Sequence, residues 1–341
     1  MNMRKTFRIF AITLVVAIVV TVAGVAVVRH HNVKTGDMYD VFTNGINIGE
    51  PLYKYEMPEN TDISELPECT EENYVMYQLN EFNTIETELE YCTVEINGGT
   101  QKDFLTVAMS CKEDVSDSVK LRTAVKDGNL YIQNKCEGTV PASKDKVKII
   151  IMIPDDYKGG YCVKGQYCDV SVTNAESAMD IEMSLYKCNL NADNLNAPNI
   201  TADMSGTEAE VKNVSSKDGF SIGAVSSNIK LRGVSAQYSK MVVSSTTLDT
   251  ENVSGGFTYE SDISTLYLKC SEVSGNINIQ SKKGSVSVTL PKNAPLALRH
   301  NEKWSVFQNS TGIADSEKNN KDLQHILETN VEFTIVRLEE K

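Results

Sequence analysis

The sequence is poor in several residue types that mark particular classes of protein. Among its 341 residues there are 1 tryptophan, 4 histidines and 8 prolines, and 33 basic residues are outnumbered by 46 acidic ones. The resulting formal net charge of −13 disfavours nucleic acid as a partner, because phosphate backbones require a basic surface. It also disfavours electrostatic docking on anionic lipid. The hydrophobic content of 41 % suits a folded chain and argues against wholesale disorder.

The chain also lacks a Cys-x-x-Cys pair, so a zinc ribbon or a thioredoxin-like motif is unsupported. Its 8 cysteines are even in number, which is consistent with disulfides outside the cytoplasm. However, Cys92, Cys111, Cys168 and Cys188 occupy alternating positions that they share with aliphatic residues. Because free cysteine packs like a small hydrophobe, we favour buried thiols, with a Cys168–Cys188 disulfide as the alternative.

One long apolar segment lies near the amino terminus. Residues 9–28 carry no charge and, as a helix, would span roughly 30 Å, the hydrocarbon thickness of a bilayer. Three basic residues precede it, which favours a cytoplasmic tail and a single-pass cell-membrane protein whose remaining chain is extracytoplasmic. The alternative is a signal peptide cleaved near Gly24 and Ala26, which would release a secreted protein. The length of the apolar run favours the uncleaved anchor.

After this segment the sequence lacks an amphipathic helix of useful length. Residues 29–82 read as an acidic, proline-containing linker, a composition that keeps a chain extended. From residue 83 onward, apolar and polar residues alternate in short runs separated by Gly, Asp and Pro, as in Leu105–Cys111. This pattern predicts short β-strands.

The most informative feature is an internal repeat between Cys168 and Pro291. The motif apolar-x-apolar-x-Asn-apolar recurs, beginning with Val170–Ala175, and its second apolar position falls at residues 172, 192, 211, 231, 250, 268 and 288. Such a constant step is typical of the coils of a solenoid, because each turn of chain must return to the same place. A second apolar pair lies between successive motifs, so each coil is predicted to contain two strands.

Stacking these coils predicts the environment of several columns of side chains. Val170 and Val172 point inward, whereas Asp169 and Ser171 point outward. The position two residues before each motif holds a small residue, which suits a tight corner: Cys168, Cys188, Thr207, Ser227, Thr246, Ser264 and Gly284. The opposite corner holds residues that tolerate left-handed backbone geometry, namely Asn174, Asn194, Asn213, Gly233 and Asn252.

The predicted fold class is therefore all-β, a single-stranded parallel β-solenoid (β-helix) with about 19 residues per coil, preceded by one N-terminal transmembrane helix. The expected domains are a cytoplasmic tail (1–8), a transmembrane signal-anchor helix (9–28), the acidic linker (29–82), an N-terminal β-strand region or cap (83–158), the solenoid repeats (159–291) and a C-terminal β cap (292–341).

No catalytic, cofactor-binding or metal-ligating residue is predicted, and no cofactor is expected. Gly219–Gly223 matches Gly-x-Ser-x-Gly, but a nucleophile elbow needs a strand-to-helix turn and this match lies within a repeat strand. The outward columns scatter single acids among amides and hydroxyls, whereas polysaccharide lyases and hydrolases need clustered acids.

The succession of Phe82–Ile96, Gly128–Gln133, the run KIIIMIP at Lys148–Pro154 and the repeats from Asp169 to Pro291 resembles the bacterial putative-adhesin family, whose members carry a β-strand repeat of unknown function. Cys168-Asp169 stands where that family frequently has Gly-Asp at the opening of a rung. The resemblance implies an exported or membrane-anchored β-solenoid of the bacterial envelope, and it implies no catalytic residues.

The predicted function is non-catalytic binding at the cell surface: adhesion, envelope scaffolding or a sensory role. The membrane would be contacted through residues 9–28, and the partner would be an unknown envelope protein or glycan, with no role for nucleic acid. The alternative is an extracellular polysaccharide lyase or hydrolase on a β-helix. An outward cluster of three carboxylates with an aromatic rim would favour the enzyme, and a smooth polar flank would favour binding.

Overall fold

The computed structural model describes residues 52–56, 74–112, 119–136, 147–311, 313 and 325–341. Every strand or helix assigned in these ranges is a β-strand, which confirms the all-β prediction. The described ranges contain no helix long and apolar enough to cross a bilayer. The expected tail 1–8, the expected transmembrane helix 9–28 and most of the expected linker 29–82 lie outside the described residues.

The described residues form 21 strands. In chain order they are β1 (Tyr74–Tyr77), β2 (Thr84–Glu90), β3 (Thr93–Thr100), β4 (Leu105–Cys111), β5 (Val119–Lys126), β6 (Asn129–Cys136), β7 (Val147–Pro154), β8 (Gly160–Gln166), β9 (Asp169–Glu176), β10 (Ile181–Tyr186), β11 (Asn189–Ser205), β12 (Glu208–Val225), β13 (Asn228–Ser244), β14 (Thr247–Asp262), β15 (Thr265–Lys269), β16 (Ile277–Lys282), β17 (Ser285–Leu290), β18 (Leu296–Lys303), β19 (Val306–Asn309), β20 (His325–Glu332) and β21 (Ile335–Glu340).

Successive coils of chain stack on one another as parallel strands in continuous register. Ala192 pairs with Val172 on one side and with Val211 on the other. The same column continues through Leu231, Thr250, Leu268 and Val288. The prediction that these regularly spaced residues lie directly above one another is therefore confirmed.

Each coil contributes one strand to each of two walls. The front wall consists, in spatial order, of β1, β4, β7, β3, β9, the first halves of β11–β14, β15, β17, β21 and β19. The back wall consists of β5, β6, β2, β8, β10, the second halves of β11–β14, β16, β20 and β18. Alternate side chains of both walls form one buried core, so the solenoid has a filled interior.

The turns between the walls repeat one backbone conformation. At the first corner, where a back-wall strand passes into a front-wall strand, φ is near +50° in coil after coil: Tyr91, Tyr167, Lys187, Ser226, Ser245, Ile263, Lys283, Phe333 and Trp304. At the second corner φ lies between +51° and +69° at Asn174, Asn194, Asn213, Gly233 and Asn252. Because Asn and Gly adopt this left-handed conformation at low cost, the predicted role of the asparagine column is confirmed.

Small polar side chains at the first corner link each coil to the next. The N–H of Thr207 donates to Ser227 Oγ (3.2 Å), that of Ser227 to Thr246 Oγ1 (3.3 Å), and that of Thr246 to Ser264 Oγ (3.1 Å). A buried backbone N–H without a partner is costly in free energy. The hydroxyl oxygens accept hydrogen bonds from corner N–H groups that have no partner in the strand pairing. The small-residue column is therefore a hydrogen-bonding element as well as a steric one.

Both ends of the solenoid depart from chain order. At one end the β2–β3 coil lies between the β6–β7 and β8–β9 coils, and β1, β4 and β5 join by antiparallel pairing. At the other end the last coil of the chain, β20–β21, lies between β16–β17 and β18–β19. The repeat period does not reveal these insertions, because an inserted coil carries the same inward pattern as its neighbours.

Two parts of the expected linker 29–82 contact the solenoid. Tyr74–Tyr77 forms β1 and pairs with β4, and Leu52–Glu56 reaches the back wall through Tyr53 and Tyr55. The expectation of an extended acidic stalk is therefore wrong for these two segments. Their tyrosines pack against rings of the solenoid and form hydrogen bonds with it.

Val211→Asp is expected to lower the free energy of unfolding by about 3 kcal/mol or more, because an unpaired carboxylate would enter the core. Val211 is only 1 % exposed. Urea denaturation followed by circular dichroism measures the change. Asn191→Asp is the matched control, since it places the same carboxylate at an exposed front-wall position and should change stability by less than about 0.5 kcal/mol. Equal midpoints for the two variants would contradict the inward assignment of Val211.

Candidate functional site

The Gly-x-Ser-x-Gly match lies within one strand of the back wall. Gly219, Ser221 and Gly223 belong to the second half of β12, and Phe220 and Ile222 are buried between them. The next element along the chain is β13. This geometry differs from the strand-turn-helix that presents a catalytic serine.

Charged residues near the middle of the front wall form ion pairs. Arg232 Nη2 lies 2.6 Å from Asp249 Oδ2, and its Nε lies 3.6 Å from Glu251 Oε2. All three side chains remain partly exposed, so these pairs are screened by solvent. Among the described residues, no group of three or more His, Cys, Asp or Glu is placed to hold a metal ion.

An open polar cleft lies at the second corner, near the end of the solenoid where β7, β3 and β9 are neighbours. Its volume is about 430 Å³, within the roughly 300–1,000 Å³ typical of small-molecule sites. Amide and carboxylate side chains dominate its lining: Asp155, Asn174, Glu176, Asn194 and Asn196. We call this site the corner cleft.

Gly99 lines one side of the corner cleft, and Gly98 precedes it in β3. Gly98 lies so close to the backbone carbonyl of Asn174 that a Cβ at this position would overlap with it. Gly99 has φ +70°, a conformation that glycine adopts without the penalty of other residues. The pairing of β3 with β7 shifts register between Asn97 and Thr100, so regular stacking is interrupted where the cleft opens.

Asn174, Asn194 and Glu176 of the corner cleft are held by side-chain partners. Asn194 Nδ2 donates to Asn174 Oδ1 over 2.8 Å, and Lys158 Nζ lies 2.6 Å from Glu176 Oε2. An amide side chain offers two donors and an acceptor with two lone pairs, and a carboxylate offers acceptors only. The cleft therefore presents both donors and acceptors, which is the combination needed to bind a ligand rich in hydroxyl groups.

Two tyrosines give the corner cleft a rigid floor. Tyr157 and Tyr161 are buried, and their rings meet edge to face at 5.5 Å. The Tyr157 hydroxyl donates to the carbonyl of Gly160 over 2.9 Å. Burial raises the pKa of both phenols far above the ordinary value, so both hydroxyls stay protonated, and that of Tyr157 is a fixed donor.

The sequence predicts that the asparagine column is a structural feature spread along the axis, and it predicts no site residue there. The structure brings Asn174 and Asn194 together with the turn that follows β7, whereas Asn213 and Asn252 lie outside the cleft lining. The meeting of Asp155 with Asn174 results from the spatial order β7–β3–β9. The one local signal is the Gly98-Gly99 pair inside a strand, since interior glycine often marks a bulge.

Aromatic side chains line the first corner at the same end of the solenoid. The rings of Tyr91 and Tyr167 stack at 4.8 Å and 5°, and Tyr186 meets Tyr167 edge-on at 5.6 Å. Lys187 Nζ lies 5.3 Å and 5.1 Å from the ring centroids of Tyr167 and Tyr186, within the range of a cation–π interaction. We call these three rings the tyrosine stack.

Three cysteines occupy the same first-corner position in neighbouring coils. Cys92, Cys168 and Cys188 are fully buried, and their thiols are free. The Sγ atoms of Cys92 and Cys168 lie 3.6 Å apart, a distance of contact without a covalent bond. The prediction of buried thiols is confirmed for these three residues, whereas Cys111, for which the same alternation predicts burial, is only partly buried. The alternative Cys168–Cys188 disulfide is not formed in this structure.

A family model described as Toastrack DUF4097 matches residues 82–331. The chain belongs to the Toastrack DUF4097 family. This confirms the resemblance inferred from the order of strands and repeats, and the match spans the second strand of the fold through most of β20. The family assignment carries no activity and no catalytic residues.

Solved structures that resemble this Toastrack DUF4097 chain are remote in sequence. A putative adhesin from Bacteroides fragilis has 13% identity and a TM-score of 0.43, covering 79% of this chain and 98% of that one. A putative adhesin from Parabacteroides distasonis has 11% identity and a TM-score of 0.43, covering 78% and 95%. A putative lipid binding protein from the same species has 14% identity and a TM-score of 0.39, covering 80% and 98%. No match was found among curated proteins.

Two thiols of this Toastrack DUF4097 chain, the partly buried Cys162 and the buried Cys270, are expected to react slowly while it is folded. Burial raises the pKa of Cys162 and of Cys270 to about 11. Only the thiolate reacts, so at pH 8 iodoacetamide should modify both on the order of 100-fold more slowly in the native protein than in the urea-unfolded protein. The native rate should rise with pH up to about 11. Mass spectrometry of each peptide measures the rates, and equal native and unfolded rates would contradict the burial.

Proposed function

We propose that this chain is a non-catalytic binding protein that displays a single-stranded parallel β-solenoid outside the cell membrane. The proposed anchor is residues 9–28, supported by an uncharged run long enough to span the roughly 30 Å of a bilayer's hydrocarbon core. The acidic composition of the chain argues against a second, electrostatic contact with anionic lipid. The partner class that we propose is a hydroxyl-rich glycan of the cell envelope.

The corner cleft is the observation that carries this proposal. Its amides and carboxylates are held on consecutive coils, and the coils are rigidly spaced by backbone hydrogen bonds. A preorganised polar site loses little conformational entropy on binding. Asp155, Asn174 and Asn196 therefore present polar groups to sugar hydroxyls from fixed backbone positions, above the buried pair Tyr157 and Tyr161.

The geometry of the corner cleft favours binding over hydrolysis. A glycosidase needs two carboxyl groups with different environments, one of them kept protonated by an apolar surrounding. Glu176 does not have such a surrounding, because its side chain is 59% exposed and lies 2.6 Å from Lys158 Nζ. A polysaccharide hydrolase or lyase is therefore the alternative function, and the binding experiment distinguishes it from binding without cleavage.

The double substitution Asp155→Ala and Asn196→Ala is expected to weaken glycan binding at least about tenfold, since two hydrogen-bonding groups would be lost. The full-length protein in nanodiscs would be titrated with fluorescently labelled oligosaccharides from bacterial envelope glycans. Asn191→Ala, on the exposed front wall, is the matched control and should leave the dissociation constant unchanged. Equal affinities for the two variants, or release of new reducing ends by the wild type, would refute the proposed binding role.

The anchor is expected to remain attached in the mature protein, because the apolar run exceeds the roughly 7–15 residues of a signal-peptide core. Amino-terminal sequencing of protein purified from membranes should therefore read from Met1 or Asn2. A new terminus near Val27 would instead identify a cleaved signal peptide and a released protein.

A further inference from the structure

A short segment from the acidic region lies across the outside of the back wall. Leu52–Glu56, which we call the tyrosine arm, crosses four consecutive coils. The N–H of Tyr53 donates to Ser244 Oγ over 3.0 Å, and the Tyr53 hydroxyl donates to Asp203 Oδ1 over 2.5 Å. These partners belong to β13 and β11, and β12 lies between those two strands. Tyr53 therefore spans three coils of the wall.

A glycine in the back wall leaves room for the Tyr53 ring. Gly223 lies between Asp203 and Val242 in an outward column, and a Cβ at 223 would overlap with the ring of Tyr53. Glycine weakens a strand interior and often marks a place where another group approaches closely. Gly223 is also the last residue of the Gly-x-Ser-x-Gly match. The glycine at this position is explained by the space that the Tyr53 ring needs above the strand.

The second tyrosine of the arm extends the contact to a further coil. The ring of Tyr55 stacks on Tyr186 at 6.2 Å and 22°, and Tyr186 is itself part of the tyrosine stack. Burial raises the pKa of Tyr55 to about 12 and that of Tyr53 still further. Both phenols are thus neutral at physiological pH, as the hydrogen bond that Tyr53 donates to Asp203 requires.

We propose that Tyr186, Asp203, Gly223 and Ser244 form a binding seat for a Tyr-x-Tyr segment, that the chain's own residues 52–56 occupy it, and that this contact fastens the amino-terminal arm to the middle of the solenoid. One ring contact, two hydrogen bonds and a glycine clearance converge on one segment, which a chance surface contact would not combine. Residues 52–56 are thereby a second point of attachment to the solenoid for the region that precedes β2, in addition to the pairing of β1 with β4.

Hydrogen exchange on the full-length protein tests the seat. The amide of Tyr53 should be protected, and Gly223→Leu, which fills the clearance, should accelerate its exchange about tenfold or more. Exchange of the buried core amides of β11–β14 should stay slow, which separates loss of the arm from unfolding of the wall. Leu52→Ala is the matched control on the arm, because Leu52 is 49% exposed. Unprotected exchange at Tyr53 in the wild type would overturn the proposal.

A peptide experiment tests whether the seat binds in its own right. The double variant Tyr53→Ala and Tyr55→Ala empties the seat without altering the wall, so a labelled peptide of residues 51–57 should bind it saturably. Binding to the wild type should be at least about tenfold weaker, because the arm already occupies the site. Equal binding to both proteins, or equal binding of a peptide with both tyrosines replaced by alanine, would overturn the proposal. Tyr53 protection that increases with protein concentration would show exchange of arms between copies and would overturn the intramolecular assignment.

Discussion

The hydrogen bonds between one coil and the next are the constraint on which the rest of this molecule depends. Parallel strands pair at a constant spacing, so each circuit of chain must return to the same place and present the same kind of side chain there. Val172, Ala192 and Val211 share a column for this reason. The buried core and the polar outer faces both follow from that repeated register.

The corners meet the demands that this register creates. A sharp turn requires a residue in the left-handed region, and it leaves backbone donors without strand partners. Asparagine and glycine supply the conformation at the second corner, and Ser227 and Thr246 supply acceptors at the first. In the coils of Cys168 and Cys188 a thiol takes the place of the hydroxyl, with Cys168 N–H directed at Cys188 Sγ over 3.5 Å. The cysteines are therefore members of a structural column.

The candidate functional features lie where regular stacking is interrupted. The corner cleft opens where β3 shifts register beside Gly98 and Gly99, and the seat of the tyrosine arm lies where Gly223 removes a side chain from an outward column. A uniform wall offers the same shallow polar surface at every coil, whereas an interruption creates a concave place with a unique set of groups. Recognition requires such a place, because specificity comes from a few convergent polar or aromatic contacts.

Four features can be read from the amino-acid sequence without the structure: the repeat period, the inward columns, the asparagine corner and the burial of Cys168 and Cys188. Each of these reflects contacts between residues one coil apart, so each leaves a periodic trace along the chain. Three further features are visible only in the folded chain. The β20–β21 coil lies between coils formed by earlier segments, Asp155 lines the same cleft as Asn174, and Tyr53 reaches Asp203 across 150 positions of sequence. These contacts join segments that are not one repeat apart. A contact that occurs only once leaves no periodic pattern in the sequence, so the sequence alone does not reveal it.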